Sequence, residues 1–412
     1  MPSPFQRQEH CYLYRYFGSN ILPRLVRRDS LARYADQSYM LRLALEFPPL
    51  MGALVSIAGM QLASLNRWPI SEVVGCYIQT LAGLRQTLTR TSNIDPHDAL
   101  LATVVTLAVF ESSRIDAAFS VAHHVTASGI LVTKRRVRRS NCPQATAVFN
   151  RICIESFVYH ASLMMIFDPS LDSLSDTQCR QELSNFFSGP EQSDQCEPEQ
   201  TLSTQPILHV SYKFFLLVAD ATKLARKTVA LTSNEICEWV QLQEQSSKCV
   251  AAMARSQDQC TVLYALALRT LLLKSQPDIT LDLFNDGIDT CIRESNKIKP
   301  HIDASPYFTS FLLWPLAILG SVSTLSSEIK VARNFICLLG ESRLGGQAHW
   351  VLRRLETIWS WTSTVQPSSA DWRVAGLQSL LDGENHNQTL QHPKHAFMRT
   401  CRFDMNVPIE NI

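Results

Sequence analysis

Asp286, Thr290 and Glu294 stand at i, i+4 and i+8, a spacing that puts three oxygen-bearing side chains on one face of a helix. Oxygen ligands in that arrangement suit a hard divalent cation such as magnesium, and with it chemistry on a diphosphate. Such a centre needs a second, aspartate-rich helix of the form D-D-x-x-D to complete the metal shell. The nearest stretch, Asp168-Pro169-Ser170-Leu171-Asp172, is interrupted by proline, which would leave the ions half ligated. The triad therefore reads as the exposed face of an amphipathic helix, with a magnesium-dependent helical enzyme kept as the alternative.

Other chemistry-bearing residues are more scattered. His123 and His124, with His97 and His160, lack the Cys, Asp or Glu partner at i+4 that would complete a metal site, and adjacent helical positions point about 100° apart. No metal and no cofactor is expected. The sequence contains no G-x-S-x-G, H-E-x-x-H, Walker loop or G-x-G-x-x-G, so the commonest hydrolase, nucleotidase and dinucleotide chemistries are not indicated and no catalytic residue is assigned. Lys134, Arg135, Arg136, Arg138 and Arg139 place five cations within six residues after an apolar helix. A run of that kind suits a solvated loop, a nuclear import tag or a salt-sensitive phosphate contact.

The elements that must position these residues are helical. Of 412 residues, 46% are hydrophobic, enough to bury a large core, and 38 basic against 37 acidic residues leave a net charge of +1. No global field draws the chain to nucleic acid or to an acidic membrane. The apolar runs Ala99 to Phe110 and Phe311 to Gly320 fall short of the roughly 20 residues that span a bilayer, and the amino-terminal residues lack a secretion signal. The twelve cysteines are widely spaced and read as small buried hydrophobes of a reducing compartment.

Apolar residues recur at three- and four-residue spacing almost throughout, which predicts an all-α chain of antiparallel packed helices. Helices are expected at 39–47, 49–65, 69–90, from Asp95-Pro96-His97-Asp98 onward, and at 117–132, 145–167, 207–231, 234–255, 257–274, 281–297, 307–319, 328–339, 347–362 and 371–381. Ser188 to Pro206 is polar and acidic and reads as a linker between two helical lobes of a domain spanning 1–385, followed by a polar tail at 386–412. Small residues Gly52, Ala53, Ala58, Gly59 and Ala63 predict a close helix neighbour. Ser305 and Pro306 read as a helix start, and Pro315 as a bend that costs one ladder bond.

From Ser305 the chain reads S-P-Y-F-T-S-F-L-L-W-P-L-A-I-L-G-S, and from Trp350 W-V-L-R-R-L-E-T-I-W. Upstream stand H-C-Y-L-Y-R-Y-F from His10, P-P-L-M-G-A-L-V-S-I-A-G-M-Q-L-A from Pro48, D-A-L-L-A-T-V-V-T-L-A-V-F-E from Asp98, A-F-S-V-A-H-H-V-T-A-S-G-I-L-V from Ala118 and C-T-V-L-Y-A-L-A-L-R-T-L-L-L from Cys260. In that order these segments resemble the helical regulatory domain of fungal zinc-cluster transcription factors. In that family an L-L-W-P-L-F-x-A-G helix precedes charged helices ending in W-x-x-x-R-L-x-x-x-W. The resemblance falls on Leu312, Leu313, Trp314, Pro315, Trp350, Arg354 and Leu355, with Ser305 and Pro306 ahead of them, and it marks packing positions rather than reactive ones.

The family's zinc cluster requires two close C-x-x-C pairs, and the sequence has none. The helical domain also starts within ten residues of Met1, so direct sequence-specific DNA binding is not expected. The resemblance implies a nuclear transcriptional regulator, of a secondary-metabolite gene cluster, that acts through transcription-machinery or DNA-binding protein partners or through an apolar small effector. A homo- or heterodimer is compatible with it, and no membrane contact is expected. The competing classes are the terpene cyclase-like enzyme using Asp286, Thr290 and Glu294, and a helical scaffold.

Overall fold

Helices supply every regular element among the residues that the structure, a computed structural model, describes: 8–26, 34, 38–90, 98–114, 120–134, 144–168, 171, 174–188, 207, 211–254, 259–299, 312–340, 346–364 and 371–382. In chain order they are α1 (Gln8–Tyr16), α2 (Ser38–Glu46), α3 (Pro48–Ser64), α4 (Ile70–Arg90), α5 (Asp98–Ser113), α6 (Ser120–Lys134), α7 (Gln144–Phe167), α8 (Thr177–Phe187), α9 (Tyr212–Ala225), α10 (Ser233–Ala254), α11 (Gln259–Lys274), α12 (Leu281–Ile298), α13 (Leu313–Ser321), α14 (Ser326–Gly340), α15 (Gly346–Thr364) and α16 (Asp371–Leu381). The all-α reading holds. A π-helical turn at Phe17–Ile21 and a 3-10 turn at Leu22–Arg24 follow α1.

α3 has no polar face, and thirteen of its seventeen residues are buried, as a helix apolar on all sides must be. It is the hub of the amino-terminal half, packed against α1, α2, α4 and α5. Its glycines explain how closely α4 approaches. A Cβ on Gly52 would come within 2.2 Å of Thr80 Oγ1, and one on Gly59 within 2.9 Å of Val73 Cγ2. Two contacts seven residues apart on each helix, in opposite order, mark an antiparallel pair. Pro48 and Pro49 part α2 from α3, as the separate spans 39–47 and 49–65 anticipate, and stand as the first residues of α3, where no N–H is missed.

α13 is the counterpart in the carboxyl-terminal half. Every residue from Leu313 to Ser321 is buried, and α11, α14, α15 and α16 surround it. The bend expected at Pro315 is corrected here. Pro315 is the third residue of α13, inside the first turn, where backbone N–H groups have no intrahelical acceptor, so no ladder bond is lost. Ser305 and Pro306 lie outside the described residues, as do Asp95, Pro96, His97, residues 189–206 of the acidic stretch, and the 386–412 tail.

α7 ties the halves together by touching α5 and α6 on one side and α9 and α16 on the other. One apolar cluster runs unbroken from Leu13 to Leu381. Two boundaries differ from the sequence reading for identifiable reasons. α9 starts at Tyr212, where the Ser211 hydroxyl accepts from the Lys213 N–H, and ends at Ala225. α8, not expected from periodicity, is set by Asp176, whose carboxylate accepts the Cys179 N–H at 2.9 Å.

Candidate functional site

The motif residues of α13, α15 and α16 assemble into one packed unit. Trp314 is buried and stacks on Tyr264 of α11, with ring centroids 5.5 Å apart and planes 13° from parallel. Its indole N–H is buried without a hydrogen-bond partner, a local cost accepted for the packing. Leu312 and Leu313 are buried beside it. A Cβ on Gly320 would meet Leu355 at 2.9 Å, so α15 lies directly on the end of α13. Trp359 Nε1 donates to the Gly320 carbonyl at 2.9 Å, and Arg354 donates to the Ser379 carbonyl at 2.7 Å. Both donors reach carbonyls in the last turns of helices; the Gly320 carbonyl also accepts the Ser323 N–H, and the Arg354 cation meets the negative dipole end of α16.

Further latches of the same kind hold this half together. Lys274 donates to the Ala225 carbonyl at the end of α9, and Arg226 donates to the Leu381 carbonyl at the end of α16. Arg373 of α16 reaches back to Asp289 at 2.6 Å and to the Asn285 carbonyl, both on α12. Arg333 of α14 forks onto Glu356 of α15, with its guanidinium 5.3 Å from the centre of the Trp359 ring.

The halves meet at a joint built from helix ends. Glu111 and Arg114 at the end of α5, Val121 of α6, Met164 and Phe167 of α7, Leu313 of α13, and Gln347, Trp350 and Val351 of α15 line a narrow cleft. Phe167 and Trp350 meet edge to face at 4.4 Å. Gly346 is required at the start of α15, because a Cβ there would lie 2.3 Å from the Ser113 carbonyl oxygen. The Glu111 side chain is 1% exposed and accepts from Arg114 at 3.4 Å. It belongs to the last turn of α5 and lines the cleft together with first-turn residues Val121 of α6, Leu313 of α13 and Gln347 of α15. The cleft holds about 10 Å³, room for about one water molecule. It is a packed joint rather than a substrate cavity.

A second buried charge closes the base of the acidic stretch. Arg151 and Glu155 pair on α7, the Phe187 ring of α8 packs under the Arg151 guanidinium at 4.6 Å, and Glu155 Oε2 accepts the Ile207 N–H at 2.9 Å. The residues on either side of 188–206 are thus gathered at one ion pair.

The remaining sequence candidates are dispersed. Asp286 is exposed, Thr290 bonds the Asp286 backbone carbonyl at 3.0 Å, and Glu294 pairs with Lys297 at 2.9 Å. His123 is exposed, whereas His124 is half-buried on α6 and His160 is buried on α7. Burial holds His124 down at about 3, helped by His123, and holds His160 down at about 4. The His124 Nε2 and the Tyr77 hydroxyl share a hydrogen bond of 3.2 Å. Among the described residues no group of three or more His, Cys, Asp and Glu is placed to hold a metal ion, and no helix is long and apolar enough to cross a membrane. Lys134 is the last residue of α6; Arg135, Arg136, Arg138 and Arg139 lie outside the described residues.

Glu111 and Glu155 went unnoticed in the sequence, although each is an isolated carboxylate in an apolar run, V-F-E-S and C-I-E-S-F, a signal that a buried partner awaits it.

Neither the curated proteins nor the solved structures yield a match to this chain. The family model of the fungal specific transcription factor domain matches residues 12–379, from the second turn of α1 into the last turn of α16. That match takes in α3, the joint at Glu111 and the α13–α15–α16 unit alike, and on it the chain belongs to the fungal specific transcription factor domain family.

Proposed function

We propose that the protein regulates transcription in the nucleus, using this helical domain as the surface that meets DNA-binding or transcription-machinery partners. The match of the family domain along residues 12–379 carries the reading. The absence of room for a substrate at the joint fits a domain that works by contact rather than by turnover. Lys134, Arg135, Arg136, Arg138 and Arg139 serve as the import tag in this reading. In this reading an apolar effector would act at the joint, where the Phe167–Trp350 ring contact lies beside Val121, Met164 and Leu313. The controlled genes are those of a secondary-metabolite cluster.

The test is a fluorescent fusion followed by transcript profiling. The fusion accumulates in the nucleus, and replacing Arg135, Arg136, Arg138 and Arg139 with alanine moves it to the cytosol. Deleting the gene changes a co-located set of biosynthetic transcripts. A cytosolic fusion together with unchanged transcripts would sink the proposal.

A further inference from the structure

α12 turns one face to solvent along its whole length. Phe284, Ile288, Cys291, Ile292 and Ser295 are buried, and at about 100° per residue the opposite sector, about 60° wide, holds Asp282, Asp286, Arg293 and Lys297, all exposed. The face carries acid in its first half and base in its second. Asp282 and Lys297 stand equally far from the midpoint between Asp289 and Thr290, and so do Asp286 and Arg293. The helix dipole accounts for Asp282 and Lys297, which lie in the end turns, but it fades beyond them and leaves Asp286 and Arg293 unexplained. Within one chain the face is also unbalanced. Glu294 takes both cations, Lys297 at 2.9 Å and Arg293 at 3.9 Å, whereas Asp282 and Asp286 have no ion-pair partner among the described residues. α10, the other helix with a long exposed face, differs, since its Lys248 answers its own Glu244 one turn away.

We propose that the outer face of α12 pairs with the same face of a second copy of this chain, antiparallel about a two-fold axis at the Asp289–Thr290 midpoint. A two-fold axis makes each contact twice. Asp286 of each copy meets Arg293 of the other, and Asp282 of each meets Lys297 of the other, which supplies cations to the two acids that lack one. Asp289 comes beside its own copy at the axis, where like charges would repel. Its carboxylate is already neutralised by Arg373 of α16 at 2.6 Å, which removes that obstacle. Leu283, exposed in the first turn, then lies over the aliphatic stem of Lys297 of the second copy.

The pairing does not rest on the regulatory reading, and it is tested on the purified full chain by sedimentation equilibrium. Concentrations run up to about 100 µM, because a single helix-on-helix contact lies at the small end of interface size. The chain associates to twice its mass, and raising salt from about 50 to about 500 mM weakens the association by screening the exposed pairs. Asp286→Arg and Arg293→Asp each weaken it about tenfold, since the axis turns two attractive pairs into two repulsive ones. Mixed in equal amounts, the two variants pair again with about the strength of the natural chain, because an acid-bearing face then meets a base-bearing one. Should either variant not fold, Asp282→Lys and Lys297→Asp make the same comparison. A monomer at every concentration, a loss confined to one variant of the pair, or a mixture no tighter than its components overturns the proposal.

Discussion

The two halves of the domain both use glycine close approaches, but only the second adds a set of side-chain donors aimed at helix-end carbonyls. From α1 to α8 the helices are brought together by small residues and buried neutral polar groups: Gly52 and Gly59 against Thr80 and Val73, and His124 against Tyr77. From α9 to α16 they are latched by donors aimed at helix-end carbonyls, with Trp359 on Gly320, Arg354 on Ser379, Arg226 on Leu381 and Lys274 on Ala225. A smooth interface lets one helix slide on another with little loss. A carbonyl latch has one register and leaves an orphaned acceptor when it opens. The first half is thus the adjustable one, and the second fixes the frame on which the joint at Glu111 is set.

Four perturbations probe that contrast, in descending size. Trp314→Ala removes the ring stacked on Tyr264 from a helix buried on all sides, and a loss of about 3–5 kcal/mol in chemical denaturation is expected. A loss below about 1 kcal/mol would show that α13 is not the pillar of its half.

Acid acts on the other half. Well above pH 6.5, His124 and His160 are neutral whether the chain is folded or not, and stability does not depend on their titration. As pH falls from 6.5 toward about 4, the unfolded chain binds protons that the folded one excludes, because both folded values are depressed by burial. Stability then drops by about 1.4 kcal/mol per pH unit for each histidine. Denaturation curves at pH 6.5 and 5.0 should differ by about 2–4 kcal/mol, and His160→Phe should take away about half of the difference.

The glycines allow a matched comparison. Gly376→Ala places a methyl 2.2 Å from the main-chain oxygen of Ser321, which moves only if α16 moves, and about 3 kcal/mol is expected. Gly52→Ala meets the Thr80 side chain at the same distance, and that side chain rotates at the expense of its bond to the Cys76 carbonyl, for about 1 kcal/mol. Equal losses would remove the distinction between a fixed and an adjustable half. Last, Trp359→Phe keeps most of the ring but removes one of the donors to the Gly320 carbonyl, which still accepts the Ser323 N–H at 3.2 Å, and about 1 kcal/mol should be lost, read as a lower denaturation midpoint at unchanged slope.

Periodicity made the helical class legible, and caps would have placed boundaries that periodicity missed. Thr232 and Glu235 bond each other's backbone N–H in a capping box that starts α10, a T-x-x-E signal present in the sequence. α8 escaped because only Cys179 and Leu183 face inward, too few to show a stripe, although Asp176 announces its start. The Pro315 bend was misread because proline's effect depends on distance from the helix start, which the apolar run around it hides. The joint was illegible for a deeper reason. Glu111, Met164 and Gln347 are far apart in sequence, and nothing local to any of them encodes that three helix ends will meet there. Small residues, by contrast, pointed correctly to close approach at Gly52 and Gly59.

Transcript profiling of a strain carrying the alanine replacements at Arg135, Arg136, Arg138 and Arg139 tests the central claim most directly. If the protein is a nuclear regulator, the strain loses the same set of transcripts as the gene deletion while the protein stays folded and abundant. Wild-type transcripts in both strains would contradict it.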